Sequence, residues 1–124
     1  MITQKEINES VSRALSEDVG SGDVSAQIIP EDAHSRAIVI SREIAIICGT
    51  QLFDEVFKQL DPKVTVNWHI KDGDEVSANQ TLCEISGPSR SLLTGERTAL
   101  NFLQTLSGVS TLANRYMKTI LGTK

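Results

Sequence analysis

Hydrophobic positions change their period four times along the chain. Ile7, Val11, Ala14 and Leu15 recur at helical spacing, and Thr3 with Glu6 three residues on has the signature of a capping box. The pattern predicts that this helix stops near Glu17-Asp18-Val19-Gly20, with Gly20-Ser21-Gly22-Asp23 as a polar, glycine-bearing loop. Ser25 to Ile29, closed by Pro30, fits a short turn or a strand. Ser35 to Ser41 is short and β-branched, Ile44 to Cys48 repeats that character, and Arg42-Glu43 reads as the turn between two strands. Gly49 then opens a helix whose Leu52, Phe53, Val56, Phe57 and Leu60 share one face, and Asp61-Pro62 ends it.

Strict alternation follows. Val64, Val66, Trp68 and Ile70 lie on one side of a half-buried strand, Asp72-Gly73 supplies a tight turn, and Val76 starts another short strand. Thr81 to Ile85 makes the last strand before Gly87-Pro88. From Ser91 the period is helical again, with Leu92, Leu93, Ala99, Leu100, Leu103 and Leu106 in one stripe. A second stripe of Val109, Leu112, Ala113, Tyr116, Met117 and Ile120 follows, and Gly108 between them predicts a kink or a break. Strands in the middle and helices at both ends, without βαβ alternation, give an α+β class with helices on one face of a mainly antiparallel sheet. The last stripe lacks a cover within a domain of this size, so the chain is expected to be truncated and to self-associate.

Composition narrows the function classes. A chain of 124 residues makes one compact domain, and 40% apolar with 23% charged residues excludes bulk disorder. With only 4% aromatic residues the core must be aliphatic. A net charge of −4 with scattered Lys and Arg argues against nucleic acid or an anionic membrane as partner. No apolar run reaches the roughly 20 residues of a membrane span, and Met1 to Val11 does not read as a signal peptide, so a cytoplasmic location is expected. Cys48 and Cys83 read as small buried hydrophobes in a reducing compartment, and His34 and His69 match no metal-ligand spacing.

Little of the chain carries a catalytic signature. It has no nucleophile elbow, Walker loop or zinc-binding helix, and Gly20-Ser21-Gly22 is a weak phosphate loop that lacks the following Lys-Ser/Thr pair. The informative segment is Gly95-Glu96-Arg97-Thr98-Ala99-Leu100-Asn101. Helical spacing sets Glu96 inside the apolar stripe between Leu93 and Leu100, where a carboxylate needs a cation or backbone donors as a structural anchor. Arg97 falls on a polar face with Thr94, Asn101 and Gln104. Its planar fork suits a carboxylate or phosphate, although an ordinary solvated residue reads the same way. The Lys71-Asp72-Gly73-Asp74-Glu75-Val76 hairpin has the strand-turn-strand character of biotinyl and lipoyl carriers, but no lysine stands at its tip.

Taken together, these segments resemble a family. Ala14-Leu15-Ser16-Glu17-Asp18-Val19-Gly20-Ser21-Gly22-Asp23, Ile47-Cys48-Gly49, Trp68-His69-Ile70-Lys71-Asp72-Gly73-Asp74 and Ile85-Ser86-Gly87-Pro88 occur in order and at the spacing of the N-terminal domain of quinolinate phosphoribosyltransferases. The most specific match is Leu93-Thr94-Gly95-Glu96-Arg97-Thr98-Ala99-Leu100-Asn101-Phe102-Leu103-Gln104, continued by Leu106-Ser107-Gly108-Val109-Ser110-Thr111. Departures are mild: Ser25 for a usual Thr, Asn79 for a common turn Gly, and Ser110 for Ala. Asn tolerates a left-handed conformation, so the turn at Asn79 is expected to survive.

The resemblance implies an α/β-hammerhead-like N-terminal domain over residues 1–107, with 108–124 a helix leading into a catalytic α/β barrel that this chain does not contain. It implies conversion of quinolinate and phosphoribosyl pyrophosphate to nicotinate mononucleotide, CO2 and pyrophosphate in de novo NAD synthesis. It gives Arg97 the role of contacting a quinolinate carboxylate across a subunit boundary, with Glu96 and Asn101 in structural support. No catalytic residue, metal ligand or cofactor is then expected in this chain; Mg²⁺ accompanies phosphoribosyl pyrophosphate in the whole enzyme, a homodimer or higher homo-oligomer. Two alternatives stay open: a same-fold paralogue of molybdenum-transport type, and a non-enzymatic hammerhead-type carrier or interaction domain.

Overall fold

The computed structural model of the chain describes residues 3–26 and 28–120, with side chains described over 3–17 and 28–112. In chain order it contains α1 (Gln4–Ala26), β1 (His34–Ile40), β2 (Ala45–Ile46), α2 (Thr50–Leu60), β3 (Thr65–Trp68), β4 (Glu75–Val76), β5 (Thr81–Pro88) and α3 (Ser89–Ile120). The capping box forms as expected: the Glu6 N–H donates to Thr3 Oγ1 at 3.1 Å, and the Thr3 N–H reaches Glu6 Oε2 at 3.4 Å.

β5 is the central strand, flanked by β1 and β3 in an antiparallel sheet of order β1-β5-β3. Ala37 pairs with Ile85, which pairs on its other side with Val66. β2 and β4 form a separate antiparallel pair with Ala45 opposite Val76. The expected turn at Arg42-Glu43 therefore joins two strands that do not pair with each other. Asn79 does adopt the left-handed conformation, at φ +67°, in the turn that returns the chain to β5.

One apolar core lies between the sheet and the helices. It takes Ile7 and Val11 from α1, Phe53, Val56 and Phe57 from α2, Cys83 and Ile85 from β5, and Leu92, Ala99 and Leu103 from α3. Val66 and Trp68 pack against this core, whereas Thr65, Asn67 and His69 are exposed. The alternation read along this strand thus corresponds to the two faces of the sheet. Trp68 also meets Phe53 edge-on, with ring centroids 5.1 Å apart, and its Nε1 donates to Asp54 at 2.8 Å.

Three expectations require correction. α1 does not stop near Gly20 but continues to Ala26, so Gly20-Ser21-Gly22-Asp23 is helical. Gly108 does not break the last helix, and α3 runs continuously through 108 to Ile120. An internal glycine costs a helix only about 1 kcal/mol, a penalty that neighbouring turns can absorb. Finally, Ile44 to Cys48 contributes only the two-residue β2, because α3 takes over the backbone hydrogen bonds that a longer ladder would have made.

Candidate functional site

α3 starts immediately after the central strand, so the elements that close the sheet also set its first turn. The Ser89 N–H donates to the Ala33 carbonyl at 2.8 Å, and Arg90 Nε reaches the Ile29 carbonyl. Ser91 Oγ donates to Asp61 Oδ2 at 2.7 Å, tying α3 to the end of α2. That bond, with the Lys63 N–H as a second donor, holds the Asp61 carboxyl below its ordinary range.

The next turn carries the family-like segment. Gly95 is buried against Phe57 and Leu60 of α2, and Thr98 and Ala99 are also buried. Arg97 lies about 200° round the helix from Gly95. It is exposed, and makes no hydrogen bond or ion pair with any described residue. Asn101, one turn on, is exposed beside it, and Gln104 continues the same polar face. The polar face read from the sequence is therefore present, with a guanidinium whose donors are open to a ligand.

Glu96 is not where the sequence pattern set it. It is exposed and lies on the rim of a groove instead of inside an apolar stripe. The buried face of α3 is centred on Leu92, Gly95, Ala99 and Leu103, so Leu93 is 40% exposed and Glu96 falls at the boundary. The expected buried anchor is absent; among the described residues Glu96 has no ion-pair partner.

The groove beside Glu96 was not legible in the sequence. It has a volume of about 960 Å³ between α3 and β1, with Phe53, Phe57 and Ile85 among its lining residues and Ile38, Ile40, Gln104 and Leu112 towards its edges. Ile38 and Leu112 are 62% and 70% exposed, so the groove opens into an apolar surface. The side chains of Ala113, Tyr116, Met117 and Ile120 lie outside those described.

The remaining candidates are structural. The Gly20-Ser21-Gly22 backbone is helical, not a phosphate-cradling loop. Cys83 is fully buried, and burial pushes its thiol up to about 12, with Asp54 adding to the effect. Cys48 is only half-buried, and both thiols are free. A cross-strand cluster went unread because it depends on register: Glu84 of β5 takes Arg36 Nη2 at 3.2 Å and His69 Nε2 at 3.3 Å. Exposed pairs of this kind contribute little to stability.

Comparison with known proteins adds the following. The family model described as quinolinate phosphoribosyl transferase, N-terminal domain, matches residues 23–107. A chloroplastic, carboxylating nicotinate-nucleotide pyrophosphorylase of Oryza sativa subsp. japonica is 38% identical over 104 residues, covering 82% of this chain and 28% of the relative. A probable carboxylating nicotinate-nucleotide pyrophosphorylase of Bacillus subtilis (strain 168) is 34% identical over 102 residues, 82% of this chain and 35% of its own length. The solved nicotinate-nucleotide pyrophosphorylase of Francisella tularensis superimposes with a TM-score of 0.93 at 37% identity, over 98% of this chain and 43% of that one. The chain thus spans about a third of the length of the curated relatives it matches.

Proposed function

The chain belongs to the quinolinate phosphoribosyl transferase family as an N-terminal domain, and from that premise we propose that it completes the quinolinate site of a larger enzyme. That enzyme converts quinolinate and phosphoribosyl pyrophosphate to nicotinate mononucleotide, CO2 and pyrophosphate, a step of NAD biosynthesis. The observation that carries the reading is Arg97: an exposed guanidinium without a protein partner among the described residues, inside the segment that the family model matches. Quinolinate is a dianion, and a planar fork of donors recognises a carboxylate bidentately. Asn101, one turn on along the same exposed face, is given a supporting role, and Glu96 flanks the same turn from the groove side.

Most of the active site then belongs to polypeptide outside this chain. Mg²⁺ with phosphoribosyl pyrophosphate belongs, on this reading, to that other part; among the described residues no group of three or more His, Cys, Asp or Glu side chains could hold a metal ion. A cytoplasmic location is part of the same reading; among the described residues no helix is long and apolar enough to cross a membrane. The apolar rim around Ile38, Val109 and Leu112 supports assembly into a homodimer or higher homo-oligomer. In such an assembly Arg97 serves the neighbouring subunit's site, and the 124 residues alone do not turn over substrate.

Arg97→Ala in the full-length enzyme tests the assignment. A charge-assisted bidentate contact contributes on the order of 1.5–3 kcal/mol, or roughly one to two decades in kcat/KM for quinolinate. Folding should change by no more than about 0.5 kcal/mol, because the side chain is exposed. Arg97→Lys should recover only part of the loss, since an ammonium lacks the fork. Unchanged quinolinate kinetics in Arg97→Ala would remove the reading.

A further inference from the structure

We propose that Gly95 is a positioning residue that sets how far Arg97 reaches, an inference that rests on the reading of Arg97 just given. The observation is a close approach between two helices. A Cβ at Gly95 would lie 2.7 Å from Leu60 Cδ1, 2.7 Å from Phe57 Cε1 and 3.0 Å from Phe57 Cδ1. Carbon atoms are in optimal contact near 3.5–4.0 Å, so a methyl group here requires α2 and α3 to part by roughly 1 Å. Leu60 Cδ1 ends a flexible side chain and can turn aside. Phe57 cannot, since it is 1% exposed and its ring centroid lies 5.5 Å from that of Phe53.

Arg97 follows two residues later and about 200° round the helix. It is exposed where Gly95 is buried. The direction in which a larger residue 95 pushes α3 is therefore the direction in which Arg97 projects. Further along, α3 is pinned: Ser107 Oγ accepts the Cys48 N–H at 3.0 Å and Thr111 Oγ1 accepts the Ile46 N–H at 2.9 Å. Its first turn is held as well, by Ser89, Arg90 and Ser91, so a wedge at 95 bows the helix outward between the two anchors, and the displacement falls on the stretch that carries Arg97. This accounts for a poor helix former inside a long helix whose backbone there is ordinary.

Steady-state kinetics of the full-length enzyme carrying Gly95→Ala, with Arg97→Ala alongside, tests the proposal. A misplacement of about 1 Å costs up to roughly a hundredfold, and the expected result is a ten- to hundredfold higher KM for quinolinate. The KM for phosphoribosyl pyrophosphate should stay unchanged. Adding Phe57→Leu, which removes the obstructing ring edge, should recover most of the quinolinate KM. A general loosening would raise both KM values together and would not respond to Phe57→Leu. That pattern, or a folded Gly95→Ala enzyme with a normal quinolinate KM, overturns the proposal. If Gly95→Ala does not accumulate as folded protein, Leu60→Phe widens the same gap from α2 and is read identically. Arg97→Ala separates the two claims: a normal quinolinate KM there rejects the role of Arg97 itself. A raised KM there with normal Gly95→Ala kinetics rejects only the positioning role.

Discussion

Ser107 on α3 holds both backbone polar groups of Cys48: its Oγ accepts the N–H at 3.0 Å and donates to the carbonyl oxygen at 3.2 Å. One turn on, Thr111 Oγ1 takes the Ile46 N–H at 2.9 Å. Two hydroxyls at i and i+4 thus stand where a further strand would pair, and the stretch around β2 needs no second ladder. Its other side is closed by β4 and by the Asp72-Gly73 turn, where the Gly73 N–H meets the Ile47 carbonyl at 2.7 Å.

Ser107→Ala leaves the Cys48 N–H and carbonyl without these partners in a mostly buried setting. An unsatisfied buried group costs about 1–3 kcal/mol, and each kilocalorie lowers the midpoint of a domain this size by a few degrees. Thermal unfolding of the 124-residue chain should show that loss. A midpoint equal to that of the unsubstituted chain would mean that water replaces the hydroxyl without penalty.

Gly108→Ala should move stability the other way. Gly108 is helical and exposed, and a Cβ there meets no atom within 4 Å. Replacing such a glycine by alanine adds about 0.5–1 kcal/mol, chiefly by restricting the unfolded chain. Chemical denaturation of the two chains in parallel measures the difference, and a lower midpoint for Gly108→Ala would contradict the continuous helix.

Asp54 gives a pH signature. Although it keeps contact with solvent, desolvation raises its carboxyl above the ordinary 3.8; Asp72 adds to this, and the hydrogen bond from Trp68 opposes it. A carboxyl whose folded pKa is raised favours folding when protonated, and that contribution is lost as pH rises through the folded value. Asp54→Asn keeps an oxygen acceptor for Trp68 Nε1 and removes the charge. Its midpoint should exceed that of the unsubstituted chain at pH 7, and the gain should fade as the pH falls through the raised folded value and be gone below 3.8. A gain of the same size at every pH would place its origin elsewhere.

Local chemistry was legible in the sequence; register and helix ends were not. The capping box at Thr3 and Glu6, the α2 face from Leu52 to Leu60 and the alternation from Val64 to Ile70 each depend on residues near in sequence. Gly20 and Gly108 read as breaks because a glycine signals flexibility without showing what offsets it. Arg36, Glu84 and His69 meet only because β1 and β3 flank β5, a pairing that no local pattern states. Glu96 falls in an apolar stripe only when the leucines alone define it, and that stripe centres on the wrong side of α3. Gly95, with no side chain to count, marks the true centre.

The central claim is that this domain lends Arg97 to a quinolinate site built mainly by another subunit. A mixed-subunit experiment tests it most directly, using the full-length enzyme. One parent carries Arg97→Ala, and the other carries an inactivating change in the part of the enzyme beyond this domain. Each parent assembly should be folded and nearly inactive in formation of nicotinate mononucleotide from quinolinate. Assemblies that combine the two should regain activity, because an intact site on one subunit then meets an intact Arg97 from the other. Mixed assemblies as inactive as their parents, with assembly confirmed by light scattering, would contradict the cross-subunit role of Arg97.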